Sequence, residues 1–145
     1  MKIEKQLNVT ADEFFNVVTQ SLLHDYKTHT NKTIHESQIK EGLTYNKRIN
    51  GRSGKNSKVE VKLLKYIPGK VYMVSFDSEI DKITLSYEIQ EIDADHIRID
   101  YEENYVSKSN QPDKKEGFFS KRIKIRKVEK LLSTIEKSII QNREK

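Results

Sequence analysis

The sequence predicts an α+β fold: a curved antiparallel sheet of about six strands wrapped around a long C-terminal helix, with a helical segment between strands 1 and 2. Three observations carry this. Near the end of the chain, Val128, Leu131, Leu132, Ile135 and Ile139 recur at three- and four-residue intervals, the apolar stripe of one amphipathic helix from Gly117 to about Asn142. Between Leu43 and Val106 the pattern has period two and is broken by turn residues at short intervals, so consecutive strands are hairpin neighbours in a meander. At the start, one alternating strand runs straight into a capped helix.

That first strand, Lys2 to Val9, puts Ile3, Lys5, Leu7 and Val9 on one face and Lys2, Glu4, Gln6 and Asn8 on the other. Lys5 is the odd residue on the apolar side. Thr10-Ala11-Asp12-Glu13 then has the spacing of a capping box, with acids favourable at the helix start. Phe14, Phe15, Val17, Val18, Leu22 and Leu23 continue the helix to about Leu23. From His24 to Glu41 only Ile34 and Ile39 anchor the pattern, which reads as a second short helix or an irregular segment.

Five strands are expected next: Leu43 to Ile49, Lys58 to Ile67, Val71 to Asp77, Lys82 to Ile92, and His96 to Val106. Asn50-Gly51 with Gly54, Pro68-Gly69 and Asp93-Ala94-Asp95 supply the turns. The last two strands each reach about 36 Å at ~3.3 Å per residue, and the closing helix about 39 Å at ~1.5 Å per residue. Those lengths match, so the helix can lie along the sheet. Ser107 to Glu116, polar and broken by Pro112, delivers the chain to it. No repeat, low-complexity tract or linker divides the chain, and residues 1–145 read as a single domain.

Composition limits the chemistry. With no cysteine, the chain has no disulfide, thiolate metal site or cysteine nucleophile. The opening MKIEKQLNV has no apolar signal core, and no run approaches the ~20 apolar residues of a membrane span, so a cytoplasmic location is expected. The net charge of +5 divides into +6 for residues 1–76, −7 for 77–116 and +6 for 117–145. A basic helix packed on an acidic sheet compensates itself, which weakens a polyanion reading.

The opening KIEKQLNVTADEFFNVV, the meander from Leu43 to Val106 and the closing KVEKLLSTIEKSII together resemble the START-like helix-grip superfamily, also called SRPBCC. More narrowly, the chain is similar to a small bacterial family of that superfamily whose function is unassigned. The resemblance implies a cavity between sheet and helix that in relatives holds apolar or amphipathic small molecules. It supplies no catalytic residue.

Catalytic and cofactor signatures are not found. Gly51-Arg52-Ser53-Gly54-Lys55 lacks the phosphate-loop spacing and joins two strands, so it reads as a hairpin tip. There is no GxSxG elbow and no HExxH pair, and His24, His29, His35 and His96 lack metal-site spacing. No cofactor is expected, and an enzyme is the least supported class.

Charged residues on apolar strand faces are more informative. Lys5 shares a face with Ile3 and Leu7, Lys47 with Leu43, Tyr45 and Ile49, and Glu103 with Tyr101 and Tyr105, while Lys121 falls on the inner line of the helix with Val128 and Ile135. With the first strand paired to the last, Lys5 is expected near Glu103. These positions are either the wet ends of the sheet, or a polar patch that orients a ligand's head group. Tyr45, Tyr87, Tyr101 and Tyr105 fall on the inferred inner face, either as core aromatics or as amphipathic walls of a cavity. The candidate ligand-binding set is therefore Tyr45, Tyr87, Tyr101, Glu103, Tyr105, Lys5 and Lys121, and the leading expectation is a binder of a small apolar or amphipathic molecule. Two alternatives stay open. The basic run Lys121, Arg122, Lys124, Arg126, Lys127 and Lys130 would serve RNA or DNA, and Phe119 with Ile123, pointing away from the stripe, would serve a homodimer or another structural partner.

Overall fold

The computed structural model describes residues 1–50, 56–108 and 118–143. The elements run β1 (Lys2–Leu7), α1 (Ala11–Thr30), a 3-10 turn (Glu36–Gln38), β2 (Thr44–Asn50), β3 (Asn56–Ile67), β4 (Val71–Asp77), β5 (Asp81–Glu91), β6 (Ile97–Ser107) and α2 (Phe118–Arg143). The six strands form one antiparallel sheet in the order β1-β6-β5-β4-β3-β2. The expected hairpin tip 51–55 and most of the loop before α2 lie outside the described residues.

Local chemistry sets the start of α1. Thr10 is extended, its hydroxyl accepts from the Glu13 amide at 3.1 Å, and the Glu13 carboxylate accepts from the Thr10 amide at 3.0 Å. This is the capping box the spacing predicts. The other end differs from expectation: α1 does not stop near Leu23 but continues to Thr30, closing on Asn31 in the left-handed conformation (φ 58°). Tyr26 supports the extra turns by packing edge-on against Tyr45 at 5.2 Å between ring centres. The stretch after Asn31 is irregular apart from the 3-10 turn.

β3 carries a bulge between Leu63 and Lys65, after which Tyr66 stands opposite Tyr72. Pro68-Gly69 then turns the chain into β4, with Gly69 at φ 76°, a conformation that L side chains rarely adopt.

The core lies between the concave face of the sheet and the two helices. Leu7, Val9, Phe14, Ile97, Ile99 and Leu132 are fully buried there. α2 packs against β1 and α1. Val128, Leu132, Ile135 and Ile139 face inward, whereas Leu131, assigned to the same stripe from its spacing, is 48% exposed. Adjacent helical residues are about 100° apart, so Leu131 and Leu132 cannot both face a single strand.

Polar contacts fix the second half of α2. The Lys5 ammonium donates to Ser133 Oγ at 2.7 Å and to the Glu129 carbonyl at 3.3 Å, and the Asn8 amide donates to Glu136 Oε2 at 2.6 Å. Arg143 donates Nε to Glu13 Oε2 at 2.7 Å, with a second bond from its terminal nitrogen to Oε1. One carboxylate thus serves both the cap of α1 and the end of α2.

Leu132→Ala should destabilise the fold by about 3 kcal/mol in urea unfolding, because it leaves a cavity where nothing is exposed, while Leu131→Ala should stay within about 0.5 kcal/mol. The hydrogen bond from Arg143, acting against desolvation, holds the Glu13 carboxyl at about 2 instead of 4.5. A depressed folded-state value means stability that is present above pH 4.5 and lost as pH falls toward about 2. Arg143→Ala should flatten the acid limb of the stability curve in that window, and an unchanged limb would remove the link.

The open end of the concave face

Sheet register arranges the inward side chains in rungs that cross the strands. Tyr72, Tyr87 and Tyr101 form one rung across β4, β5 and β6, and Ile3 of β1 extends it. The next rung is Val74, Leu85 and Glu103, and the one beyond is Phe76, Ile83 and Tyr105, with Val61 and Tyr45 extending it on β3 and β2.

Burial falls from rung to rung along β4, β5 and β6, while Val61 and Tyr45 stay buried on the β3–β2 side. On β6, Ile97 and Ile99 are fully buried and Tyr101 is 4% exposed, Glu103 is half-buried and Tyr105 is 52% exposed. β5 repeats the trend, from buried Ile89 and Tyr87 to half-buried Leu85 and Ile83, and β4 ends on half-buried Phe76. One end of the concave face is packed. The other presents apolar side chains that water reaches.

The tyrosine rung separates the two. Ring centres of Tyr72 and Tyr87 lie 6.4 Å apart and those of Tyr87 and Tyr101 5.4 Å apart. Phe14 packs edge-on against Tyr87 at 5.6 Å and Phe15 against Tyr72 at 6.4 Å, so α1 holds the rung from the core side. Burial pushes the Tyr87 hydroxyl up to about 12, helped by the Glu103 charge. Burial likewise raises Tyr72, helped by neighbouring Tyr87, and Tyr101, helped by the charge of Glu103 and a hydrogen bond to it. All three stay protonated and able to donate at neutral pH.

A polar cluster stands beside the open end. Asp25 of α1 accepts from the Tyr45 hydroxyl in a short hydrogen bond and from the Lys47 ammonium at 3.3 Å, and His29 Nε2 lies 3.4 Å from its other oxygen. Lys47 also sits over the Phe76 ring, 5.2 Å from its centre. Burial raises the Tyr45 hydroxyl first, and its bond to the Asp25 carboxylate raises it further. A neutral donor, a cation and a carboxylate thus stand at the edge of an apolar surface.

Of the residues singled out from the sequence, Tyr45, Tyr87 and Tyr101 are buried on the inner face, Glu103 and Lys47 are half-buried on it, and Tyr105 lies at its exposed rim. The side chain of Lys121, like that of Phe119, falls outside the described residues. The expected meeting of Lys5 with Glu103 does not occur. Lys5 stands opposite Ile99, whereas Glu103 stands beside Met1, exchanging two backbone hydrogen bonds of 2.8 Å with it. Lys5 instead fastens α2. Sequence reasoning misses Asp25, Tyr72 and Phe76, and weighs His29 only as a metal ligand. Asp25 follows Phe14, Val18 and Leu22 at helical spacing, and Tyr72 and Phe76 have the inner parity of β4, so the signal was present.

Among the described residues no group of three or more His, Asp or Glu side chains is placed to hold a metal ion, and no helix is long and apolar enough to cross a membrane.

Comparison with known proteins places this geometry. A family model described as a domain of unknown function (DUF3284) matches residues 1–120. The search of curated proteins gives no match. Among solved structures, the START superfamily protein from Mycobacterium smegmatis superposes with a TM-score of 0.61 at 11% identity, covering 97% of each chain. Ara h 8.0201 superposes at 0.64 with 12% identity and 97% coverage of both chains. The Zhui aromatase/cyclase from Streptomyces sp. R1128 gives 0.53 at 12% identity, over 77% of this chain and 69% of its own. The fold is that of the START-like superfamily.

Asp25→Ala should cost about 1–3 kcal/mol in urea unfolding, because it leaves the Tyr45 hydroxyl and the half-buried Lys47 ammonium without their acceptor. Asp25→Asn, which keeps an acceptor for Tyr45, should cost less. Equal, negligible shifts for both variants would show that the cluster is fully hydrated.

Proposed function

We propose that this chain, which belongs to the DUF3284 family, binds a small amphipathic molecule at the open end of its concave face. The fall in burial from the tyrosine rung to Tyr105 carries the proposal, since it leaves Phe76, Ile83, Leu85 and Tyr105 as an apolar wall that is not fully packed. Small-molecule sites combine such walls with a few convergent polar groups. Here those groups are Glu103 on the sheet, and Lys47 with its partners Asp25 and Tyr45. The ligand's apolar body would lie along the wall and stop at Tyr87 and Tyr101, with its polar end toward Lys47 or Glu103. The first half of α2 would form the lip.

The fold is consistent with this reading: one similar structure is an aromatase/cyclase and another a START superfamily protein. Binding is favoured over catalysis because the site brings together donors and acceptors but no nucleophile with a base to activate it.

Native mass spectrometry of freshly purified protein, with a thermal-shift screen of fatty acids and aromatic carboxylic acids, tests the proposal. A ligand at one hundred times its Kd adds about 2.7 kcal/mol, and the shift should shrink in Tyr105→Asp and in Lys47→Met. Bare protein in the spectrometer and no stabilising compound, or shifts of full size in both variants, would overturn it.

A further inference from the structure

On its other side α1 turns a second stripe, Asp12, Phe15, Asn16 and Thr19, toward the 3-10 turn and the β3–β4 turn, and a groove of about 560 Å³ lies between them. Its floor is built. Phe15 and Ile39 are buried, the rings of Phe15 and Tyr66 lie 5.3 Å apart, and Thr19 Oγ1 meets the Tyr66 hydroxyl at 3.3 Å. Two carboxylates stand at its rims: Asp12, whose Oδ1 lies 3.6 Å from where a Cβ on Gly69 would sit, and Glu36 of the 3-10 turn.

The charge of this groove is opposite to that of the chain. The sequence holds 27 lysines and arginines against 22 acids, yet no lysine or arginine lines the groove. Among the described residues neither Asp12 nor Glu36 is held in an ion pair, although Glu13, the next residue along α1, is taken by Arg143.

We infer that this groove is a second binding site, and that its ligand is a small organic amine. The protonated nitrogen would lie between the Asp12 and Glu36 carboxylates, and the hydrocarbon part would rest on Phe15, Ile39 and the Tyr66 ring. Carboxylates at the rims above an apolar floor suit such a molecule, the charge answering the nitrogen and the floor its hydrocarbon part. The volume lies in the range of small-molecule sites. An anion would meet two like charges and, among the lining residues, no cation, with only neutral donors such as Asn16 and Ser37. The β3–β4 turn is at the end of the sheet away from Tyr105, so this site and the one proposed above are separate.

The probe is phenethylamine, titrated into the full chain by isothermal calorimetry and by amide NMR, with 3-phenylpropionate as its anionic counterpart. Saturable binding of the amine alone is expected, with shifts at the Asn16, Ser37 and Gly69 amides. Asp12→Asn/Glu36→Gln should weaken it at least about tenfold, while Tyr105→Asp should leave it unchanged, which separates this site from the open end. Both replaced side chains are exposed, and the amide spectrum of the double variant checks that it folds. Equal binding of 3-phenylpropionate, shifts centred on Glu103 and Tyr105, undiminished affinity in the double variant, or no saturation at millimolar amine would each overturn the inference.

Discussion

Three phenol rings on one rung organise this molecule. Tyr72, Tyr87 and Tyr101 lie where antiparallel register brings β4, β5 and β6 level, and α1 presses Phe14 and Phe15 against them. On one side their rings complete a core of aliphatic residues that needs no polar partner. On the other, Tyr87 and Tyr101 lie within the field of Glu103. A tyrosine suits such a boundary because its ring supplies buried area and its hydroxyl tolerates a wet neighbour. Aliphatic residues at these positions would leave Glu103 facing a surface with nothing to donate to it.

The helices meet that boundary differently. α1 packs against it with phenylalanines and extends past it with Asp25 and His29, so one helix contributes to both the dry and the wet part of the interior. α2 is held by its second half, where Lys5, Asn8 and Glu13 each supply a polar contact. Those contacts are directional, and burial of Leu132 and Ile139 is not. Hydrophobic packing therefore brings α2 to β1, and the polar contacts set its position along the strand.

Much of this was legible in the residues. Period-two alternation located the strands, the meander followed from the short turns, and Thr10 with Glu13 marked the start of α1. What was not legible has physical causes. The end of α1 is not legible because past Leu23 a single apolar residue, Tyr26, packs inward, and the half-buried Asp25 beside it is polar, which reads as solvent exposure until a partner such as Tyr45 is known. Lys5 was assigned to the correct face, but parity fixes only the face, and the offset between β1 and β6 decides that its neighbour is Ile99. Leu131 was counted into a stripe too narrow to hold it beside Leu132. The groove beside the 3-10 turn has no sequence signature, since its walls come from three segments and each is unremarkable alone.

The pairing of β1 with β6 has a consequence for how the chain is made. The strand synthesised first lies beside the strand formed last, and α2, still later, fastens onto residues 5, 8 and 13. Until β6 has emerged from the ribosome, β1 has no sheet to join, and the capped start of α1 has only local contacts to hold it. Closing that long loop carries an entropic cost that the local hairpins avoid. The meander is therefore expected to assemble first, with β1 and α2 arriving together as the last step of folding. A truncation at the end of α2 would then act on the first strand as much as on the last helix.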